Sequence, residues 1–171
     1  MSKGIIDKLM DVALARGLVI GIDRGATALM RVWSSLRFKA LVRGARGPNA
    51  CHWSTEIKYP HNIQLGVHVA IGPGCTLGAM SPIVIGDYVR ISKGAVIETA
   101  GLDLSTGRPY QHRAKPIAIQ DGAWIGSNAI ILGGVTIGEN AIIGAGAVVT
   151  RNVPANAIVV GAATRTLSRR S

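Results

Sequence analysis

The 171-residue chain has a single phenylalanine, Phe38, and aromatic residues make up only 4% of it. With so few rings to stack on bases and no RNA-binding motif, nucleic acid is not an expected partner. Cysteine is nearly absent too: Cys51 and Cys75 form no CxxC pair, which excludes a dithiol redox motif and a disulfide framework. No apolar run approaches the roughly 18 or more residues of a membrane span, since Arg16, Asp23 and Arg24 interrupt the first candidate. Asp7, Asp11 and Arg16 also break up any signal-peptide core, and no small-residue cleavage site follows, so a cytoplasmic location is expected. Acidic residues are scarce, nine against 19 lysines and arginines, for a net charge of +10. The bases gather at the two ends, Lys3 to Arg46 and Arg151 to Arg170, where they suit solvated surface, an anionic membrane face or a phosphate-rich small ligand.

What the chain has in quantity is glycine, 22 residues, and aliphatic side chains, with 48% of positions hydrophobic. They recur with a fixed period. Ile119, Ile125, Ile131, Ile137, Ile143 and Val149 stand six apart, and four residues after each comes Ala123, Ala129, Val135, Ala141, Ala147 or Val153. The same register runs through Leu65, Ile71 and Leu77, slips by two residues around Pro82, and resumes at Ile85, Ile91 and Ile97. A helical face repeats about every 3.6 residues, so a longer period dense in glycine and β-branched residues reads as short strands joined by tight turns. Three hexads close one triangular coil of about 18 residues, and stacked coils bury a column that a single coil would leave exposed. Residues 63–161 are therefore expected to form a β-helix of about four to five coils. Cys75 falls on an inward small position four after Ile71, so packing accounts for it. The length suits one such domain, 51–171, and leaves no room for a second large one.

Residues 1–47 mix apolar and basic side chains. Ile6, Leu9, Met10, Ala13 and Leu14, then Leu29, Val32, Trp33 and Leu36, recur at spacings of three and four, which predicts one or two amphipathic helices. Residues 1–50 are expected to cap the open end of the solenoid, whose apolar core and strand edges need cover. Peripheral contact of residues 1–47 with an anionic membrane is the second reading of this segment.

The stretch DGAWIGSNAIILGGVTIGENAIIGAGAVVTRNVPANAIVVG, Asp121 to Gly161, resembles the hexapeptide-repeat acyltransferases, the left-handed β-helix family that includes maltose, galactoside and colanic-acid acetyltransferases. The likeness extends over about residues 63 to 168. It implies an all-β solenoid, a left-handed parallel β-helix with an N-terminal helical segment and one protruding loop, 99–117. It also implies a homotrimer with acetyl-CoA as co-substrate in the cleft between adjacent prisms, and no metal. Within the motif, Trp124 and Ser127 of AWIGS match positions lining the pantetheine channel, and Ala145 of GAGAVV matches one offering backbone contacts to the pantetheine arm. Thr150 and Arg151 of VVTRN match a Thr-Lys pair beside the nucleotide, where Arg151 keeps the charge needed near a 3′-phosphate. Arg165 stands near the arginine of the family's NPAR ending, here written AATR without the proline. Ser127, Ala145 and Thr150 are also ordinary wall or turn residues of a coil, and Trp124 suits interface packing as well as ligand contact.

The loop departs from the repeat as IETAGLDLSTGRPYQHRAKPI, Ile97 to Ile117, and long polar excursions of this kind carry function more often than structure. In the resembling family the corresponding loop delivers a catalytic histidine within wording close to TAGHD; here the words are TAGLD, with Leu102 in the expected place. His112, ten residues on, is the loop's one histidine. A sugar hydroxyl is barely ionised at neutral pH, so a base must take its proton as it attacks the thioester, and imidazole has the fitting acidity. Three readings follow: His112 as general base, an N-acetyltransferase whose amine acceptor needs no protein base, or a loop without catalytic work. Glu98 and Asp103 are candidates to orient the imidazole or bind sugar hydroxyls, or face water. Tyr110 and Arg113, with Arg108 and Lys115, make the loop basic and suit an acceptor carrying phosphate, such as a nucleotide-linked or lipid-linked sugar. Hexapeptide solenoids also include zinc carbonic anhydrases, but His52, His61, His68 and His112 are spaced by nine, seven and 44 residues and place no close pair on one coil. A non-catalytic scaffold is the remaining alternative. The expected activity is acetyl transfer from acetyl-CoA to a sugar hydroxyl in surface-polysaccharide or glycoconjugate assembly, at the inner face of the membrane or free in the cytoplasm.

Overall fold

The computed structural model describes residues 3–42, 47–162 and 165–169. Strands of two to four residues wind into a three-faced parallel solenoid. The first face stacks Ala50–Cys51, Ala70–Ile71, Arg90–Ile91, Trp124–Ile125, Ile142–Ile143 and Ala157–Val160 in parallel, and Arg165–Arg169 closes it antiparallel to the last of these. The second face stacks Glu56–Lys58, Thr76–Gly78, Val96–Glu98, Ile130–Leu132 and Val148–Val149. The third stacks Ile63–Leu65, Ile83–Ile85, Ile117–Ile119 and Thr136–Ile137. With six parallel strands on the first face, the winding makes about six turns.

The hexad residues are the inward ones. Leu77, Ile97, Ile125, Ile131, Ile137, Ala129 and Ala147 have no solvent exposure, and together with their coil neighbours they form one continuous aliphatic cluster. The winding starts at Ala50, one coil earlier than the periodicity indicates, because the first coil carries Thr55 at a buried inward position. Its hydroxyl donates to the carbonyl of Gly72 at 3.0 Å, which removes the cost of burying it. Cys51 and Cys75 both lie in the core with free thiols, and burial pushes both thiols above their ordinary pKa.

Chain length varies at one corner only. From the first face to the second, inward partners are always six residues apart, as in Ile71 to Leu77 and Ile125 to Ile131, and from the third face to the first the same holds, as in Ile85 to Ile91. From the second to the third, Ile57 to Leu65 and Leu77 to Ile85 span eight, Ile97 to Ile119 spans 22, Ile131 to Ile137 spans six, and Val149 to Val153 spans four. The slip around Pro82 is thus one widened corner in a series. The two invariant corners are tight enough to demand left-handed backbone, supplied for example by Gly94 at φ 70° and Asn128 at φ 56°. At the corner between the third and first faces, His68 and Tyr88 hold the same conformation and stack their rings at 4.9 Å.

The N-terminal segment is one helix, α1 (Lys3–Leu41), about 58 Å long at 1.5 Å per residue, and Gly17, Gly21 and Gly25 do not interrupt it. Only its last turns touch the solenoid. Phe38 and Val42 are buried in the core, and the Arg37 guanidinium donates to the carbonyls of Trp53 and Thr55, each at 3.1 Å. Leu14, Leu18, Ile22, Leu29, Val32, Trp33 and Leu36 are exposed, each leaving unused about 1.5–3 kcal/mol of burial energy. Among the described residues no helix is long and apolar enough to cross a membrane.

Ile131 lies mid-column with no exposure and packed coils on either side. Ile131→Ala is expected to destabilise the chain by about 2–5 kcal/mol, read as a lowered denaturant midpoint at unchanged slope.

Candidate functional site

The 22-residue step from Ile97 to Ile119 is a β-hairpin, Ala100–Asp103 against Gln111–Ala114, standing out from the variable corner. Its feet are pinned. Thr99, buried at the first foot, donates its hydroxyl to the Gly78 carbonyl at 2.8 Å and accepts the Ser81 N–H at 3.0 Å. Across the base, the Lys115 N–H donates to the Thr99 carbonyl at 3.0 Å, and Ile117 rejoins the third face by donating to the Pro82 carbonyl.

The hairpin register sets Leu102 directly opposite His112. Directly opposed residues project on the same side of a β-ribbon with Cβ atoms about 4.5–5.5 Å apart. His112, an exposed residue, therefore stands one side-chain width from position 102. Leu102 lines a cleft of about 370 Å³ under the hairpin, together with Thr99, Ala100, Gly101, Arg113, Lys115, and Leu132 and Gly133 of the next coil. Two cations and two leucines thus share one cavity. Leu132 and Gly133 are members that motif reading passes over, because their place in the cleft depends on the hairpin above them and not on the hexad.

Asp103 and Gln111 form the next pair along, so their side chains alternate to the other side from His112. Asp103 is engaged locally: its carboxylate accepts the Ser105 hydroxyl at 2.6 Å and the Ser105 N–H at 3.0 Å. These bonds, and the nearby Arg113 charge, hold the carboxyl below its ordinary pKa. The hairpin does not bring Asp103 to the imidazole. Glu98, at the foot, accepts the Ala100 N–H at 3.0 Å and lies beside Gly78, whose missing side chain leaves room for the carboxylate. Tyr110 sits at the tip beside Arg108, whose guanidinium lies 5.9 Å from the ring centroid.

The motif residues divide between two corners. Ser127 and Ala145 occupy successive turns of the corner between the first and second faces, where the Gly146 N–H donates to the Ser127 carbonyl at 2.9 Å. Trp124 projects from the adjoining first face, 52% exposed, and its indole N–H donates to the Ser92 hydroxyl at 3.0 Å. Ser92 is a further member of this edge, one coil before Gly126 on the same ladder. Thr150 and Arg151 lie at the other corner, between the second and third faces, which is also the corner that bears the hairpin. The Arg165 backbone pairs with Val160, and its side chain lies outside the described residues. One copy therefore presents Trp124, Ser127 and Ala145 on one edge, and His112, Thr150 and Arg151 on another. The remaining histidines are dispersed too: His52, His61 and His68 sit at three different corners.

Comparison with known proteins places this geometry in context. The family model described as bacterial transferase hexapeptide (six repeats) matches residues 116–151. Nodulation protein L of Rhizobium meliloti (strain 1021) is 43% identical over 112 residues, covering 63% of this chain and 60% of that protein. A hexapeptide-repeat-containing acetyltransferase from Vibrio cholerae O1 biovar eltor, solved in complex with acetyl coenzyme A, superposes with a TM-score of 0.73 at 30% identity, over 77% of this chain and 73% of that one. A maltose O-acetyltransferase from Clostridium difficile 630 superposes with a TM-score of 0.74 at 27% identity, over 90% and 89% of the two chains. The chain spans between 55% and 60% of the length of several curated relatives it matches.

A depressed carboxyl contributes to the hairpin tip above its unfolded pKa, and that contribution is lost as pH falls through the lowered value. In an NMR titration Asp103 is expected to protonate below the unstructured value of about 3.9, and Ser105→Ala to move its midpoint up toward that value.

Proposed function

The chain belongs to the hexapeptide-repeat acetyltransferase family, and from that premise we propose that it transfers acetyl from acetyl-CoA to a sugar hydroxyl with His112 as general base. The observation that carries this reading is the pairing of His112 with Leu102, the position where the resembling enzymes carry their histidine. The imidazole at 112 stands at the level of position 102, on the opposite strand of the hairpin. In the proposed step the acceptor oxygen forms a bond to the thioester carbonyl carbon and the carbon–sulfur bond breaks. His112 takes the hydroxyl proton and returns it to the departing thiolate. The cleft with Arg113 and Lys115 receives the acceptor, and its paired cations favour one bearing a carboxylate or phosphate, as in a nucleotide-linked or lipid-linked sugar of surface-polysaccharide assembly.

Trp124, Ser127 and Ala145 are assigned to the pantetheine arm, and Thr150 and Arg151, with Arg165, to the nucleotide. Because these groups lie on separate edges of one solenoid, a homotrimer in which neighbouring copies contribute different edges to each cleft fits the geometry. Outward aliphatic side chains support such packing: Ile142 and Ile158 on the first face, and Val96, Ile130 and Val148 on the second, point outward yet are partly buried already.

His112→Ala is expected to lower kcat by about 10²–10⁴-fold with little change in acetyl-CoA affinity. Adding Leu102→His to that variant returns an imidazole to the opposite strand and is expected to recover at least about tenfold of the loss. An unchanged rate in His112→Ala, measured by thiol release from CoA with a panel of sugars, would transfer the assignment to an amine acceptor that needs no protein base. Separately, Arg151→Ala is expected to raise the KM for acetyl-CoA by about 10–100-fold at nearly constant kcat.

A further inference from the structure

We propose that α1 is a self-association helix, and that α1 helices from separate copies of this chain pack in parallel along the seam Leu18, Ile22, Gly25, Leu29, Val32 and Leu36. The inference goes beyond acetyl transfer and uses none of the residues assigned to it.

The seam follows from spacing. Its members are separated by four, three, four, three and four residues, the alternation that keeps one stripe of a helix facing a partner helix over successive turns. Five of them are large and left open to solvent by their own copy: Leu18 is 67% exposed, Ile22 64%, Leu29 72%, Val32 60% and Leu36 60%. The helix is attached to its solenoid from the other side. Arg37 and Phe38 make the contacts to the first coil, Ser34 and Leu41 are half-buried beside them, and all four fall at heptad positions b, c and f, off the seam. The apolar stripe therefore points away from the body that carries it.

Charge selects the occupant. The chain carries +10, so two copies repel unless the surfaces that meet are uncharged. Beside the seam, the flanking positions hold Val19, Ala26 and Trp33 on one side and Gly21, Ala28 and Ser35 on the other, none of them charged. From Gly17 to Phe38 the charged residues are Asp23, Arg24, Arg31 and Arg37, and all fall on the opposite face in heptad positions b and c. An identical helix can approach this face without placing like charges together, and a flank this broad suits packing of more than two helices.

The glycines favour a helix over a lipid surface as the partner. A Cβ added at Gly21, beside the seam, or at Gly25, on it, would meet nothing within 4 Å, so no contact inside one copy requires them. Glycine weakens a helix and gives a membrane no apolar surface, whereas it lets a neighbouring helix backbone come close. The helices run parallel because every copy's α1 enters the same end of its solenoid. Copies related by rotation about an axis along the solenoids must point them the same way.

The test is site-directed disulfide trapping in the full chain, where Cys51 and Cys75 are buried and stay silent. Val32→Cys places a thiol on the seam and Thr27→Cys places one on the far face. Under mild oxidation Val32→Cys is expected to form the cross-linked dimer at least tenfold faster than Thr27→Cys. Ile22→Glu with Leu29→Glu, added to the Val32→Cys chain, is expected to abolish that advantage, while circular dichroism confirms an intact solenoid. Equal cross-linking at the two positions overturns the proposal, as does an advantage that survives the glutamates. So does a Val32→Cys chain that remains uncross-linked and instead pellets with phosphatidylglycerol vesicles, which would make α1 a lipid-binding helix.

Discussion

Backbone hydrogen bonds between successive coils fix the solenoid's register, and the rest of the molecule is arranged around that ladder. The Arg90 N–H donates to the Ala123 carbonyl, and the Trp124 N–H to that of Ala141, so each coil reads its alignment from the next. A slip of one residue would turn an inward isoleucine to solvent along an entire face. Extra residues can therefore enter only at a corner, and only if the chain returns in phase. The corner between the second and third faces is where this chain takes that freedom, first with two additional residues in each of two coils, then with a hairpin, and finally with two fewer. The candidate chemistry stands on the one edge of the prism whose length is not set by packing.

The same logic accounts for two of the acidic residues. Asp87 accepts the Val67 N–H and Asp121 accepts the Asp87 N–H, each at 2.8 Å, so these carboxylates close the corner between the third and first faces by capping backbone donors. Carboxylates spent on backbone donors are poor candidates for acid–base work, and they lie at a different corner from the hairpin. Many of the cations, in contrast, sit on α1 and along the hairpin, away from that corner.

Legibility in sequence tracks how directly a feature depends on the six-residue period. The column from Ile71 to Val149 is visible because each inward position must hold a side chain of similar bulk. The first coil is not, because Thr55 substitutes a hydrogen bond for an aliphatic contact at one inward place. The N-terminal segment reads as helical from its spacings, yet its length and its exposure do not follow from them: three glycines suggest breaks, and an apolar stripe suggests burial that this copy does not supply. At the site, His112 is singled out by acidity and by its place in the loop. Its pairing with Leu102 depends on hairpin register, which the hexad pattern does not encode, and the separation of Trp124 from Arg151 depends on which corner each occupies.

Register in the hairpin has its own source. A ten-residue interval between Leu102 and His112 pairs them only if the tip closes with one particular turn, and the tip is built from Asp103, Ser105 and Thr106. Asp103 holds Ser105 through two hydrogen bonds, the Thr106 hydroxyl donates to the Asp103 carbonyl at 2.8 Å, and the Gln111 N–H donates back to that hydroxyl. Had the strands paired one residue differently, His112 would project to the other side of the ribbon, away from position 102. Asp103 therefore belongs to the turn that sets which residue faces Leu102. A carboxylate that sequence reading offers as an orienter of the imidazole is bonded instead into the backbone turn at the tip through Ser105, while Thr99 pins the feet.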